Sequence, residues 1–239
     1  MIRSELWKEK KLCREIRKLM KETGYFIAFE GIDGSGKSSI IKLLDLKLKE
    51  NKITAYLTKE PTDGPFGSLI HQFMTGRLNA DHRAIAAMFA ADRIDHLTNT
   101  VNGIKQIINN GITVISDRYY FSSYAYHCVF ADMDWVINAN KICYDILKPD
   151  LNIFIDTDPE ICMKRIEETR FIKEKYEELE HLKKVRNNYF AAFDRLSHIE
   201  KVAVINGNRT AEEIANDVLT VIEKTLPELG APITKSCGT

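Results

Sequence analysis

The sequence has no excess of positive or negative charge, because its 34 lysines and arginines are balanced by 34 aspartates and glutamates. A strongly basic chain is attracted over its whole surface to nucleic acids or acidic membranes, and this balance excludes such a general attraction. Any function that needs positive charge must therefore depend on a local group of basic residues. We expect a small-molecule partner, and neither nucleic acid nor a membrane.

Long hydrophobic runs and paired cysteines are absent as well. No apolar run approaches the roughly 20 residues that span a bilayer, and charged residues lie where a signal peptide would have its apolar core. The cysteines are odd in number, far apart, and form no C-x-x-C pair or Cys/His cluster with metal-ligand spacing: Cys13, Cys128, Cys143, Cys162 and Cys237. These absences predict reduced thiols in a cytoplasmic protein.

The length of 239 residues, 44% of them hydrophobic, suits one well-buried α/β domain better than two. We place this domain at residues 23–226, between an N-terminal extension, 1–22, and a C-terminal tail, 227–239. The extension holds eight Lys and Arg against four Glu, with apolar residues at helical spacing, which predicts a basic amphipathic helix. Two interpretations stay open: a helix packed on the domain or partly disordered, and an arm for nucleic acid or a protein partner.

Residues 31–38 read GIDGSGKS, a complete G-x-x-x-x-G-K-[ST] phosphate-loop motif. An apolar run precedes it at 25–29 and a helical pattern follows at 39–44, which is the context the motif requires. Backbone N–H groups of such a loop wrap a polyphosphate, while Lys37 reaches the outer phosphates and Ser38 ligates Mg²⁺. The competing interpretation is a flexible glycine loop. We predict that a nucleoside triphosphate is bound by Gly31, Ile32, Asp33, Gly34, Ser35, Gly36, Lys37, Ser38 and Ser39.

Strand-like and helical segments alternate along the chain after this motif. Apolar runs at 25–29, 53–58, 112–116, 151–155 and 202–205 are separated by helical patterns. This alternation, with strands that are apolar on both faces, predicts a doubly wound, five-stranded parallel sheet flanked by helices. Ligands of such sheets bind at the carboxyl ends of the strands, where the phosphate loop and the pair Asp117-Arg118 both lie.

The pair Asp117-Arg118 supplies a carboxylate and a guanidinium at one strand end. Asp117 stands where an acidic residue would hold Mg²⁺ opposite Ser38. Since adjacent residues in extended backbone point opposite ways, Arg118 is free to face the phosphoryl acceptor. The alternative is an ordinary ion pair at a strand end.

Other candidate groups lie on helical segments. Phe89 and Arg93, four residues apart, share a helix face and offer a ring for a base and a planar cation, although a core Phe beside a surface Arg has the same spacing. Hydroxyls and rings follow Arg118 at Ser122, Ser123, Tyr124 and Tyr126. A basic stretch suits either a mobile lid at about 165–176 or a solvated charge run: Arg165, Arg170, Lys173 and Lys175.

Taken together, these segments resemble the thymidylate kinase family from about residue 25 to 218. The family loop G-x-D-G-x-G-K-S is matched at 31–38, T-R-E-P by T-K-E-P at 58–61, F-A-x-D-R at 89–93, and D-R-Y-x-x-S-S-x-A-Y at 117–126. The last match is the specific one, because a phosphate loop alone belongs to many families.

The resemblance implies a site for ATP with Mg²⁺ and a second site for dTMP. Phe89 would stack on thymine, Arg93 would contact the monophosphate substrate, and Asp33 and Tyr126 would lie near the 3′-hydroxyl of the sugar. The implied substrate-binding residues are Glu60, Phe89, Arg93, Arg118, Ser122, Ser123 and Tyr126. The implied metal ligands are Ser38 and Asp117.

The catalytic residues implied are Lys37, Asp33, Arg118 and Arg170. Some relatives have a catalytic arginine in the phosphate loop, but this chain has Gly34 there, so the arginine is expected from the lid, with Arg170 preferred to Arg165. Three departures concern the acceptor side: Lys59 replaces an arginine and loses its bidentate fork, His71 stands about where many relatives place an arginine, and His127 occupies the place of a frequent glutamine.

The mechanism implied is transfer of the γ-phosphoryl group of ATP to dTMP. The attacking phosphate oxygen is already anionic, so positioning and charge neutralisation suffice without a general base. Alternatives are another nucleoside monophosphate, a deoxynucleoside or a small alcohol as acceptor, and a nucleotide-gated switch without transfer. The switch is disfavoured because the N-K-x-D motif of GTPases is not matched at 140–143, where Cys143 replaces the aspartate. By family analogy we expect a homodimer.

Overall fold

The computed structural model describes residues 24–169 and 178–230. Five strands form one parallel sheet in the order β2-β3-β1-β4-β5. Their bounds are β1 Phe26–Glu30, β2 Ala55–Lys59, β3 Thr113–Asp117, β4 Leu151–Asp156 and β5 Val202–Asn206. The predicted five-stranded parallel sheet is therefore confirmed, with strand ends shifted by one or two residues.

Ten α-helices and one 3₁₀-helix surround the sheet in this part of the chain. The α-helices are α1 Lys37–Glu50, α2 Pro65–Met74, α3 His82–Thr98, α4 Ile104–Asn109, α5 Tyr120–His127, α6 Met133–Ala139, α7 Lys141–Ile146, α8 Pro159–Thr169, α9 Leu179–Leu196 and α10 Ala211–Thr225. Local sequence explains several starts. Thr210 and Glu213 form a reciprocal capping box at α10, and Asp81 accepts a hydrogen bond from the backbone of Arg83 at α3.

Hydrophobic cores lie on both faces of the sheet. Along β1, Phe26 and Ala28 belong to one buried cluster and Ile27 and Phe29 to the other, as the alternation of side chains along a strand requires. The first cluster includes residues of α5 and α9, and the second includes residues of α1 and α10. β1 is buried over its whole length, which explains its continuous apolar sequence.

The last residues that the structure describes pack on the second of these hydrophobic clusters. Leu226 is buried, and Leu229 in the 3₁₀-helix Pro227–Gly230 contacts the same cluster. The packed unit therefore reaches into the segment assigned above to the tail. The N-terminal extension and the remainder of the tail lie outside the described residues.

A search for membrane-spanning helices within residues 24–169 and 178–230 found none with the length and apolar character that a crossing needs.

The strand order places the candidate residues together. β1 lies between β3 and β4, and Phe29 of β1 is level with Asp117 of β3. The phosphate loop leaves the end of β1, so it begins directly beside the Asp117-Arg118 pair. The carboxyl end of the sheet therefore holds both segments at one edge, as predicted.

Candidate active site

The phosphate loop needs glycine at Gly34 for two reasons. Its φ of 77° lies in the left-handed region, and a Cβ there would come within 2.5 Å of the carbonyl oxygen of Cys162. A larger side chain would therefore strain the loop and collide with α8. This explains in physical terms why the loop offers no arginine at this position.

Lys37 lies buried beneath the loop at the start of α1. Its ammonium donates hydrogen bonds to the carbonyl oxygens of Gly31 at 3.0 Å and Ile32 at 3.1 Å, and to the hydroxyl of Ser35 at 3.4 Å. Burial, together with the nearby Arg118, lowers the pKa of Lys37 to about 8. An anionic polyphosphate in the loop would favour the charged amine and offer stronger acceptors than these neutral oxygens.

The two predicted metal ligands are brought together. The hydroxyl of Ser38 donates to Oδ2 of Asp117 at 2.5 Å, although 79 residues separate them. In residues 24–169 and 178–230 no group of three or more His, Cys, Asp or Glu is arranged to hold a metal ion. One hydroxyl and one carboxylate fit Mg²⁺, which keeps several waters and needs few protein ligands when phosphates complete its shell.

The backbone of Arg118 differs from the expectation of extended structure. Its φ is 79°, which is uncommon for a residue other than glycine. The N–H of Arg118 donates to the carbonyl of Phe29 at 2.8 Å, and its carbonyl accepts from the hydroxyl of Ser116 at 2.7 Å. Arg118 and Asp117 do face different groups, as predicted, but a left-handed turn held by these two hydrogen bonds produces that divergence, and the alternation of an extended strand does not.

The Arg118 guanidinium joins the loop to α5. It donates to Oδ1 of Asp33 at 2.5 Å, the carbonyl of Gly31 at 3.1 Å, the hydroxyl of Ser122 at 3.0 Å and that of Tyr126 at 3.2 Å. Tyr126 in turn donates to Oδ2 of Asp33 at 2.9 Å. Five residues predicted separately for the donor and acceptor sides thus form one connected group.

Arg93 on α3 is almost completely buried and already has three side-chain partners. Its Nε donates to Oε2 of Glu60 at 2.7 Å, and Nη1 donates to Ser123 at 3.1 Å and to Asn140. The Nη2 atom lies 2.7 Å from Glu60 as well. The Glu60 carboxylate therefore balances the charge of Arg93, and most of the guanidinium donors are used within the protein.

Phe89, one turn before Arg93, lies beside His127 of α5. Their ring centroids are 4.9 Å apart with the planes tilted by 59°. Burial, with Arg93 nearby, lowers the pKa of His127 to about 3, so the imidazole is neutral at physiological pH. The two rings form one wall, with Arg93 and Ser123 next to it.

The predicted lid is described only in part. Arg165 on α8 has Nη1 at 3.5 Å from the carbonyl oxygens of Gly34 and Ser35, so this basic residue lies over the phosphate loop. Arg170, the preferred catalytic arginine, lies outside the described residues, as do Lys173 and Lys175.

Two of the three departures lie at the surface. Lys59 pairs with Asp63 at 3.1 Å, and His71 on α2 is exposed. Lys59 also lines a groove of about 720 Å³ that reaches Ser38 and Asp117. The groove therefore connects the predicted metal ligands to the edge of the sheet at β2.

Several contacts were not predicted. His96 bonds Glu60 through Nδ1 at 3.1 Å, and Asn140 holds Arg93. The contact of His96 could have been predicted, because Arg93 and His96 are three residues apart on one helix face. The contact of Asn140 could not, because this residue is 47 positions from Arg93 in the sequence. Glu30 and Tyr189, for which no part in the site was predicted, both contact the Arg118 group.

Fold and site together define a P-loop phosphotransferase of the nucleoside monophosphate kinase type. The family model described as thymidylate kinase matches residues 29–218 of the chain. The chain therefore belongs to the thymidylate kinase family, as the sequence motifs indicated.

Similar proteins come from archaea, bacteria and fungi. A protein from Pyrobaculum aerophilum described as "Probable thymidylate kinase" is 40% identical over 202 residues, covering 84% of this chain and 97% of the relative. A "Thymidylate kinase" from Ligilactobacillus salivarius is 33% identical over 83% of this chain and 97% of its own. The solved thymidylate kinase from Candida albicans has a TM-score of 0.71 at 24% identity, over 87% of this chain and 94% of that chain, and shows the likeness of fold.

Proposed function

We propose that this protein transfers the γ-phosphoryl group of ATP to the 5′-phosphate of dTMP, giving ADP and dTDP. Family membership supports the reaction. The single observation in the structure that most favours it is the position of Arg118. Its guanidinium contacts Gly31 and Asp33 of the phosphate loop on one side and Ser122 and Tyr126 of α5 on the other. One cation is thus available between a donor and an acceptor.

The donor side binds ATP through the phosphate loop and Lys37. Lys37 exchanges its neutral carbonyl acceptors for phosphate oxygens, and Arg165 lies close enough to the loop to add positive charge there. Ser38 and Asp117 would hold Mg²⁺, which when bound neutralises charge on the donor phosphates. Since the attacking oxygen is an anionic phosphate oxygen, the residues of this chain need only align the two groups and balance their charge.

The acceptor side suits a nucleotide with an uncharged base. Phe89 and His127 offer ring surfaces for stacking. Because Glu60 neutralises Arg93, the remaining N–H of Arg93 suits a base carbonyl better than a phosphate dianion. We therefore assign Arg118 to the acceptor phosphate, and Asp33 with Tyr126 offers acceptors for a sugar hydroxyl.

An acceptor panel tests this function. Purified protein with ATP and Mg²⁺ is offered dTMP, dUMP, dCMP, dGMP and thymidine, and nucleotide products are separated by chromatography. We expect dTDP as the main product, with product formation lost when Mg²⁺ is chelated. Absence of dTDP under conditions where the folded protein binds ATP would refute the proposal, and a larger kcat/KM for another acceptor would reassign the substrate.

We also propose a homodimer, in line with the expectation from the family. Phe66 and Leu69, three residues apart on one face of α2, are exposed. A second copy of the chain would cover these apolar side chains. Light scattering after size exclusion should give twice the chain mass for the wild type and the monomer mass for Leu69→Glu, while the exposed control Ile142→Glu on α7 stays dimeric; a monomeric wild type refutes the dimer. The cytoplasmic location stays a prediction.

A further inference from the structure

Glu30 is a buried carboxylate at the end of β1, directly before the phosphate loop. Its side chain is fully buried and accepts three hydrogen bonds. Oε2 accepts from the hydroxyl of Ser122 at 2.6 Å and from that of Tyr189 at 3.0 Å, while Oε1 accepts from the backbone N–H of Tyr119 at 2.9 Å. A carboxylate in such a place costs free energy unless its donors are in position, which makes its partners informative.

The partners of Glu30 are also the partners of Arg118. Nη1 of Arg118 lies 3.0 Å from the Ser122 oxygen and 3.4 Å from the Tyr189 oxygen. Glu30 itself has no direct hydrogen bond to Arg118 among the contacts of the described residues. Its influence on the guanidinium therefore acts through the two shared hydroxyl groups, beside the direct attraction between the two charges.

Proton direction explains how this influence works. A hydroxyl has one proton, and ionised Glu30 can only accept, so the bonds from Ser122 and Tyr189 to Oε2 use the proton of each hydroxyl, although the two hydroxyl oxygens also lie 2.9 Å from each other. Their oxygens are then left as acceptors on the side where Arg118 donates. A neutral amide at position 30 would instead donate to one of these oxygens and turn a hydroxyl proton toward the guanidinium.

The hydrogen bond from the backbone N–H of Tyr119 to Glu30 also constrains Arg118. Arg118 adopts a φ of 79°, a conformation that persists only where surrounding contacts hold it. The bond from Tyr119 N–H to Glu30 fixes the peptide that follows Arg118, and the bond from Arg118 N–H to Phe29 fixes the one that precedes it. β1 thus holds this turn from both ends.

We propose that Glu30, acting through Ser122 and Tyr189, is a positioning residue that fixes the Arg118 guanidinium above the phosphate loop for phosphoryl transfer. The inference rests on the proposed function, since it assigns Glu30 a part in that reaction. It also gives Tyr189 a role beyond packing, because its hydroxyl donates to Glu30 and accepts from Arg118 and so connects α9 to both residues.

The test compares Glu30→Gln and Tyr189→Phe with a matched control. Burial raises the pKa of Glu30 to about 7, so turnover is measured at pH 8, where the carboxylate is ionised. The control is Glu200→Gln, another buried carboxylate, which bonds Tyr120 and Asn152 away from Arg118. We expect kcat to fall about tenfold for Glu30→Gln and severalfold for Tyr189→Phe, with KM for dTMP changed less than about threefold, and both constants near wild type in the control.

A double-mutant cycle separates positioning from general damage. If Glu30 acts through Arg118, adding Glu30→Gln to Arg118→Ala should lower kcat by less than about twofold further. Full additivity, or wild-type kcat in both folded single variants, overturns the inference. If Glu30→Gln fails to fold, Tyr189→Phe in the same cycle decides. Wild-type protein that makes no dTDP refutes the proposed function instead, so the two failures are distinguishable.

Discussion

The hydroxyl of Ser38 lies 2.5 Å from the carboxylate of Asp117. Ser38 stands in the first turn of α1 and Asp117 at the end of β3, so the contact exists only because β3 is the neighbour of β1. The pair presents a hard oxygen ligand set at the mouth of the phosphate loop. Its chemistry leads to the first prediction.

Asp117→Asn should raise the Mg²⁺ concentration needed for half-maximal turnover by about tenfold or more, because a neutral amide is a weaker ligand for a hard cation. Turnover is titrated with Mg²⁺ at saturating ATP and dTMP. Asp145→Asn on α7, which removes an exposed aspartate paired with Lys141, is the control and should follow the wild-type curve. Coinciding curves for Asp117→Asn and wild type would exclude the metal role.

Removal of either cation at the loop should stop most catalysis. Lys37→Ala and Arg118→Ala are each expected to lower kcat by about a hundredfold or more, since each removes a charge-stabilising donor from the site. Arg195→Ala, which removes an exposed arginine paired with Asp134, should keep kcat within about twofold of wild type. Near-normal turnover in purified Arg118→Ala would refute the role of Arg118.

Gly34 and Gly76 permit a matched comparison, because their φ angles are 77° and 73°. Gly76→Ala meets nothing within 4 Å, so we expect only the backbone penalty of about 1 kcal/mol in the free energy of unfolding. Gly34→Ala adds the collision with the carbonyl of Cys162 and should be more destabilised and lose ATP binding. Urea unfolding and ATP titration measure both effects, and equal behaviour of the two variants would contradict the close approach.

Glu60 should matter more for stability than an exposed carboxylate. Glu60→Gln leaves the Arg93 guanidinium buried without its counter-charge, which typically costs about 3–5 kcal/mol. Glu212→Gln, which breaks the exposed ion pair with Lys47, should cost about 1 kcal/mol or less. Free energies of unfolding from urea titration decide, and a cost for Glu60→Gln no greater than the control's would show that the Arg93 charge is balanced otherwise.

Glu30 should make stability depend on pH in a defined direction. Burial raises its pKa from 4.5 to about 7, while Arg118, Lys37 and the hydroxyls of Ser122 and Tyr189 face it. Between those pH values the folded protein holds a proton that the unfolded chain has released, so stability falls as pH rises through this window.

The limiting slope of that effect is roughly 1.4 kcal/mol per pH unit. The free energy of unfolding of the wild type and of Glu30→Gln is therefore measured from pH 4.5 to 8. Relative to the variant, the wild type should lose stability as the pH rises to about 7, and the difference should then stay constant. A difference that stays constant over this range would contradict the raised pKa.

The sheet was predictable from short apolar runs, and the order of its strands was not. β1, β3 and β4 are buried on both faces, so each contains apolar residues at consecutive positions, which marks it as a strand. β2 is an edge strand with exposed residues, and its predicted start at residue 53 was two residues early. Strand order depends on how crossovers pass over the sheet, and no local pattern encodes it.

The phosphate loop follows from local sequence alone, because eight consecutive residues form it and its glycines supply the backbone conformations that the loop requires. The sequence also identified Asp117, Arg118, Phe89 and Arg93, through motifs whose members lie close together in the chain. The packed fold was needed to show that Asn140 and Glu60 accept the hydrogen bonds of Arg93, and that Glu30 and Arg118 share Ser122 and Tyr189 as partners. Such partners come from distant segments, and a hydrogen bond between them depends on angstrom-level distances that only the packed fold sets.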